Sequence, residues 1–418
     1  MAVKLKTILE HEWEEFKQTS DSDELKRPAV HDNIRKILQC KTMWIGLQVY
    51  QCEDHQEEVR LVPCTCKSRF CPSCGYKANL IWLNQLLQRA LPCDHQHLVF
   101  TLAFELRELA KSNRRAIFNL MSRTLWATIR QFINKHRTLA YQSGGVCILH
   151  TFGKGLKWHV HFHLMITAGG LRGSCWIENS YLDENYLKRA WKAKMLAGLR
   201  KLYRSGQLTN AVGRHPGQSF EQMLSDIYDR NWYIWIDEVR GDGTFAFTYL
   251  GRYCKRACIA QKGIVKYRPG KEIAWKERTK IPTPDHCAYR ATPKNFLDLL
   301  TTHIPNRYDH QVHYFGLYSS RQKNTLYTKA LKVLARKSRV KKLKEKLKLT
   351  WQKLMKWVYD FNPLACPICG KEMKRVCILF FNPRRSADRD LLLNYEIRNY
   401  QLVPREIEGL VAKCFDSS

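Results

Sequence analysis

The feature that most constrains this chain is the run at residues 150–170, HTFGKGLKWHVHFHLMITAGG. Residues 157–167 alternate, and enough of them are β-branched or aromatic to predict a strand. Side chains two apart in a strand share a face. His159, His161 and His163 are therefore expected on one side, with Val160, Phe162 and Leu164 on the other against a core. Residues 145–151 (GVCILHT) read as a partner strand. A hairpin turning near Lys154 and Gly155 sets His150 opposite residues 159–161, which brings His150, His161 and His163 together. Neutral imidazoles in such a cluster bind a divalent metal and leave coordination positions open for substrate oxygens. The competing reading, polar residues on a solvated sheet face, suits one isolated His-x-His better than three alternating histidines with a fourth aligned to them.

Composition sets the class. A chain of 418 residues has room for two or three domains, and 44% hydrophobic with 11% aromatic content argues a folded protein. Seventy Lys and Arg against 38 Asp and Glu leave a formal charge of +32. That self-repulsion is relieved by a polyanion, so nucleic acid is the expected partner, ahead of a membrane surface. No segment approaches about 18 consecutive apolar residues, and the N-terminal residues are charged throughout. A soluble, cytoplasmic protein with neither a membrane span nor a signal peptide is expected. Sixteen Cys in an intracellular chain point to thiolate metal sites and not to a disulfide framework.

Residues 40–76 carry two knuckles, Cys52-x2-His55 and Cys71-Pro-Ser-Cys74-Gly. Each presents two ligands from one tight turn, and together they suit one tetrahedral zinc, with Cys66 as the alternative to His55. Gly75 is expected to relieve the backbone as it folds toward the ion. Lys67 and Arg69 beside the knuckles suit DNA contact, although a solvated basic rim has the same composition. Near the other end, Cys366-Pro-Ile-Cys369-Gly is half of a second zinc site, with Cys377 and Cys414 as candidate partners. Between Arg321 and Lys356, fourteen Lys and Arg face one Glu on a helical apolar stripe, a pattern suited to gripping a DNA backbone.

The order of elements predicts an α+β domain, an antiparallel sheet with helices on one face. Residues 1–39 read as helical, residues 97–102 as a buried strand, residues 105–136 and 181–204 as amphipathic helices, and residues 231–239 as a strand. A helix over residues 248–261 places Tyr249, Arg252, Tyr253 and Arg256 on one stripe at i, i+3, i+4 and i+7. Two phenols flanked by two guanidiniums are what attack on a phosphodiester requires. A free Tyr has a pKa of about 10, so phenolate at neutral pH costs roughly 4 kcal/mol, which neighbouring cations lower. The bland reading of this stripe is an amphipathic helix with half-buried tyrosines and solvated arginines.

At these motifs the chain resembles transposases of the insertion-sequence 91 family, the rolling-circle, two-tyrosine branch of the His-hydrophobic-His (HUH) nucleases. The resemblance is carried by TCKSRFCPSCG at 65–75, HLVFTLAFELREL at 97–109, LHTFGKGLKWHVHFHLMITAGGL at 149–171, TYLGRYCKR at 248–256, HIPNRYDHQVHYFGLYSS at 303–320 and DFNPLACPICGKEMKRV at 360–376. It implies that His161 and His163 hold the catalytic divalent metal, Mg or Mn, and that Tyr249 and Tyr253 are the nucleophiles. His150 as third ligand is similar to the three-His arrangement of conjugative relaxases, and His159 is its competitor. The family usually has Cys-x2-Cys where this chain has Cys52-x2-His55.

The organisation so implied is an N-terminal helical segment at 1–39, a zinc-binding DNA-binding domain at 40–90, an HUH single-strand DNA nuclease domain at 91–320 and a basic helical C-terminal region at 321–418. The expected partners are single-stranded DNA, transposon ends and target DNA at the nucleoid. No GxxxxGK[ST] phosphate loop is present, so any helicase or replication machinery is expected from the host. A rolling-circle replication initiator of a plasmid or phage shares the same active site, and a non-catalytic zinc-dependent DNA-binding protein is the alternative from another class.

Overall fold

The computed structural model describes residues 4–135, 140–211, 217–230, 232–237, 243–253, 257–276, 289–337, 364–398 and 401–404. Helices α1 (Leu5–Thr19) and α2 (Pro28–Leu38) lead into strands β1 (Leu47–Gln51) and β2 (Val59–Pro63), and α3 (Pro72–Leu87) starts inside the second Cys pair. There follow β3 (His95–Thr101), α4 (Arg107–Ser112), α5 (Arg114–Ile133), β4 (Gly144–Phe152), β5 (Trp158–Thr167), β6 (Gly169–Arg172), β7 (Cys175–Glu178), α6 (Glu184–Arg204), α7 (Phe220–Tyr228), β8 (Ile234–Ile236) and α8 (Gly243–Tyr253). Next come β9 (Ile264–Arg268), β10 (Glu272–Trp275), β11 (Tyr289–Ala291), α9 (Pro293–Thr302), β12 (Val312–Gly316) and α10 (Thr328–Lys337). The last elements are β13 (Lys374–Leu379), α11 (Ser386–Asn394), β14 (Tyr395–Arg398) and β15 (Gln401–Pro404). Among the described residues no helix is long and apolar enough to cross a membrane.

The central sheet runs β12-β4-β5-β3-β8, and every neighbouring pair in it is antiparallel. The α+β class read from the sequence is the class observed. Leu98, Phe100, Leu149, Val160, Phe162 and Leu164 point from one face into a core closed by α5, α6 and α7. Each such side chain contributes roughly 1.5–3 kcal/mol on leaving water. Helices also cover part of the opposite face: Val146, Ile148 and Met165 pack under α3, α8 and α10, beginning where the histidine positions of β4 and β5 end. This second layer seats α8 next to the histidines. The expected helix at 248–261 in fact begins at Gly243, and residues 257–260 are not helical. Phe247 and Leu250 are buried in the core under the sheet, whereas Ile259 is buried in a different one, and a single straight helix cannot serve both.

That other core holds α1 and α2 against α9 and the β9–β11 sheet, through Ile8, Trp13, Ile34, Trp275 and Phe296. Farther along, β13 returns to pair antiparallel with β1, so a strand from the end of the chain completes the sheet β13-β1-β2. Of the basic stretch expected to be helical, α10 is described and buries Ala330 and Leu334 of the apolar stripe. Residues 338–363 and Cys414 lie outside the described residues.

His303 ties α9 to the histidine hairpin, its Nε2 lying 2.8 Å from the Leu156 carbonyl and its Nδ1 3.1 Å from the Thr151 hydroxyl. Burial pushes its pKa down to about 4. An unfolded histidine titrates near 6.5, so between those values the unfolded chain binds the extra proton and stability rises with pH. The protein is therefore expected to lose stability as pH falls from about 6.5 towards 4. Urea midpoints measured at pH 7 and pH 5 should differ less in His303→Gln than in the parent chain; an unchanged difference would contradict this assignment.

Candidate metal centre and nucleic-acid site

The histidine hairpin turns through a 3-10 turn at Lys154–Leu156, where Gly155 has φ +65° and a Cβ would meet the Tyr289 ring at 2.9 Å. Only glycine serves there. The hairpin register pairs His150 with His161 and Ile148 with His163. One ligand nitrogen each from His150, His161 and His163 lies within 4.8 Å of the others. The Nε2 atoms of His161 and His163 are 3.2 Å apart, and the His150 ring centroid is 4.4 Å from that of His163. Burial, reinforced by His150, holds His161 and His163 well below the usual histidine range, so both are neutral at pH 7 and present lone pairs. The His161 Nδ1 faces the carbonyl of His159 at 2.9 Å, which orients that ring with Nε2 inward. Three imidazoles whose nitrogens converge in this way fit a divalent metal.

His159 belongs to the same strand face but turns its Nδ1 to the Arg107 guanidinium, which donates to it. That lone pair is engaged, and the pKa of His159, lowered by burial and then by Arg107, is about 4. A residue that the sequence reasoning passed over joins the site instead. His97 on β3 is buried, its Nε2 lies 2.9 Å from the Nδ1 of His163, and the two rings stack with centroids 5.1 Å apart. A signal was available: His95-Gln-His97 repeats the alternating pattern on the neighbouring strand. His95 is structural, bonded to Tyr318 and the Cys93 carbonyl.

Tyr249 comes to the histidines through His97, whose ring centroid is 5.4 Å from that of the tyrosine. It stands half-buried on α8, which is pinned to α3 by the Asn79 side chain donating to the Gly251 carbonyl at 2.8 Å. Arg252 and Tyr253 fall on the last turn of α8, but their side chains, like all of Arg256, lie outside the described residues. Lys67 and Arg69 are exposed, and Arg69 lines a cavity of about 50 Å³ shared with His150, Phe152 and His303. The zinc-knuckle segment and the histidine hairpin thus border one cleft.

The cysteines group differently from the expectation of one site made of Cys52, His55, Cys71 and Cys74. Cys71 and Cys74 meet Cys40 and Cys66, while Cys52 and His55 meet Cys366 and Cys369. Cys66 is therefore a neighbour of Cys71 and Cys74, and Cys40 was missed because it forms no knuckle. The physical reason is the β1–β2 hairpin, which carries Cys52 and His55 at its tip and Cys40 and Cys66 beyond its two ends. In the first group Cys74 lies 3.5 Å from both Cys40 and Cys66, and Cys71 lies 3.9 Å from Cys40. Sulfurs at the corners of a tetrahedral zinc stand about 3.8 Å apart, so the four fit that ion. Hydrogen bonds from Cys40, Cys66 and Cys71 hold the Cys74 thiol far below the usual thiol range. Gly75 is needed because a Cβ there would stand 2.4 Å from the Arg69 carbonyl oxygen; the constraint is close backbone approach. Cys377 is exposed on β13 and belongs to neither group.

Residues 144–325, which include the histidine hairpin and α8, match a family model described as "Putative transposase", and residues 8–102 match the "Transposase zinc-binding domain". The chain is 28% identical over 358 residues to the transposase for insertion sequence element IS801 of Pseudomonas savastanoi pv. phaseolicola, an alignment covering 82% of each chain. It is 25% identical to "Putative transposase y4qJ" of Sinorhizobium fredii, over 68% of this chain and 72% of that one. No solved structure matches. The matched segments fall on both the cysteine-bearing end and the histidine sheet, and together with the relatives they support an insertion-sequence 91 family transposase.

Proposed function

We propose that this transposase cuts and rejoins single-stranded DNA through a 5′-phosphotyrosine link, with His150, His161 and His163 holding a Mg or Mn ion and Tyr249 and Tyr253 as nucleophiles. The observation that carries the reading is the convergence of the three histidine nitrogens beside a sheet face on which Tyr249 is seated through His97. When bound, the metal neutralises charge on the scissile phosphate. The tyrosine oxygen attacks phosphorus, the bond to the 3′ oxygen breaks, and the leaving strand takes a proton to become a 3′-OH. Because the phosphotyrosine is still a phosphodiester, rejoining reverses the step without ATP. The second tyrosine, one helical turn on, serves the other transposon end or the target strand. Arg252, Arg256, Lys67 and Arg69 bind DNA phosphates in this reading, and Cys40, Cys66, Cys71 and Cys74 hold zinc. The 3′-OH primes synthesis by host replication enzymes in the cytoplasm, at the nucleoid.

Covalent capture tests the proposal. Full-length protein, a labelled single-stranded oligonucleotide carrying a transposon end, and Mn²⁺ should give a shifted band on a denaturing gel. EDTA should abolish it, as should Tyr249→Phe combined with Tyr253→Phe. A band that persists in EDTA, or tight binding with no band on any substrate, would sink the mechanism. His97 is read as the residue that fixes the proton of His163 on Nδ1 and leaves Nε2 for the metal. His97→Gln is expected to weaken Mn²⁺ binding about 10- to 100-fold, as partners behind metal ligands generally do. Titration by isothermal calorimetry with an unchanged affinity would remove His97 from that role.

A further inference from the structure

We propose that Cys52, His55, Cys366 and Cys369 form a second zinc site, one that clasps the end of the chain onto its N-terminal zinc domain. The two halves come from positions as much as 317 residues apart, and Cys366 and Cys369 lie outside both family-matched segments. The Cys52 sulfur is 3.6 Å from that of Cys369 and 3.7 Å from the His55 Nδ1, and Cys366 lies 3.9 Å from the same nitrogen. These are the separations of ligands around one tetrahedral zinc, about 3.8 Å between sulfurs. His55 meets the sulfurs through Nδ1, which leaves its proton on Nε2.

Residues 366–370 have the build of a metal knuckle. The Gly370 amide donates to the Cys366 carbonyl at 2.9 Å, Gly370 takes φ +71°, and the amides of Ile368 and Cys369 face the Cys366 sulfur. Cys52 and Cys366 are buried together with Tyr50, Val62, Leu364 and Met373 in a small core of their own. The strands leading away from the two knuckles are paired, Val49 with Cys377 and Gln51 with Lys374. Lys371 meets Asp54 at 2.5 Å, and Lys374 pairs with Glu53, beside the same four ligands. So small a core, made of two short segments, is the situation in which a structural metal supplies folding energy. Cys377, one of the two candidate partners named from the sequence, is exposed on β13.

The test counts zinc in the purified full-length protein by mass spectrometry of the metal. Cys366→Ser and Cys52→Ser should each lose one zinc per chain, and the double variant should still lose only one. Cys71→Ser should lose a different zinc, so that Cys71→Ser with Cys366→Ser loses two. Cys377→Ser should lose none, and His55→Cys should keep the full complement. If Cys52→Ser and Cys71→Ser prove to lose the same zinc, or Cys366→Ser loses none, the clasp is wrong. Stepwise chelation of the unmutated protein with thiol alkylation guards against variants that fail to fold. Cys52, Cys366 and Cys369 should gain reactivity together and separately from Cys71, while Cys377 reacts throughout. Cys366 and Cys369 reacting as fast as Cys377 before chelation would overturn the proposal, as would a Cys52–Cys369 disulfide found by non-reducing peptide mapping.

Discussion

His161→Ala is expected to lower formation of the covalent DNA adduct more than 100-fold while leaving the fold intact. His161 offers its Nε2 to the centre of the cluster, 3.2 Å from that of His163, and lies in the middle of the hairpin opposite His150. Removing a partner behind a metal ligand costs about 10- to 100-fold, and removing one group that stabilises charge in a transition state about 100- to 1000-fold, so loss of a ligand itself belongs at the upper end. The substitution leaves the opposite face of β5, with Val160 and Phe162 in the main core, untouched. Circular dichroism and the urea midpoint should therefore stay close to those of the parent. His159→Ala is the informative neighbour: its nitrogen is engaged by Arg107, so its effect on the adduct should be much smaller. Equal losses in the two variants would mean that the cluster does not act as the proposed metal site.

Glu24→Ala is expected to destabilise the protein by about 3–5 kcal/mol, the usual cost of stranding a buried charge. Glu24 is 2% exposed and sits among cations: Arg114 approaches both of its oxygens at 2.9 and 3.1 Å, Arg27 pairs with it, and Lys111 stands 3.8 Å away. Arg114, itself 4% exposed, also donates to the Thr302 carbonyl at 2.6 Å and lies over the Trp158 ring at 4.6 Å. Its pKa is lowered to about 10, first by burial and then by Arg27, so Glu24 is what keeps its charge tolerable. The pair joins the N-terminal helices to α5 and, through Trp158, to the start of the histidine strand. Urea unfolding followed by tryptophan fluorescence should report the loss. Adding Arg114→Met to Glu24→Ala should recover part of it, because the stranded cation is then gone; a double variant as unstable as the sum of the two singles would refute the coupling.

Much of the site was legible in the chain because the signals are local. A period of two in residues 157–167 and a glycine-bearing turn are enough to put His150, His161 and His163 on one face, and the hairpin register bears that placement out. The helices read from apolar spacing at 181–204 and 105–136 are found at 184–204 and, as two helices, at 107–112 and 114–133. What spacing could not distinguish was His159 from His150, since both lie on the correct face. Arg107, 52 positions earlier, engages one of them. The extent of α8 was likewise beyond the pattern, because Phe247 and Leu250 on the helix belong to one core and Ile259, beyond it, to another.

The cysteines mark the boundary most clearly. Their spacing declared knuckles at 52–55, 71–74 and 366–369, since a pair of ligands on one tight turn is a property of a few consecutive residues. Which knuckle faces which is a property of the sheet β13-β1-β2, where a strand from the far end of the chain pairs beside the first. So the sequence by itself determined the chemistry on offer: imidazoles on a strand, thiolates in pairs, tyrosines on a helix and a +32 charge suited to a polyanion. Only the tertiary structure decided how these are shared out, seating Tyr249 beside the histidines through His97 and separating four Cys from three Cys and a His. The reason is physical: periodicity and turn chemistry act over a few residues, whereas ligand partnership depends on which distant strands bury their apolar faces together.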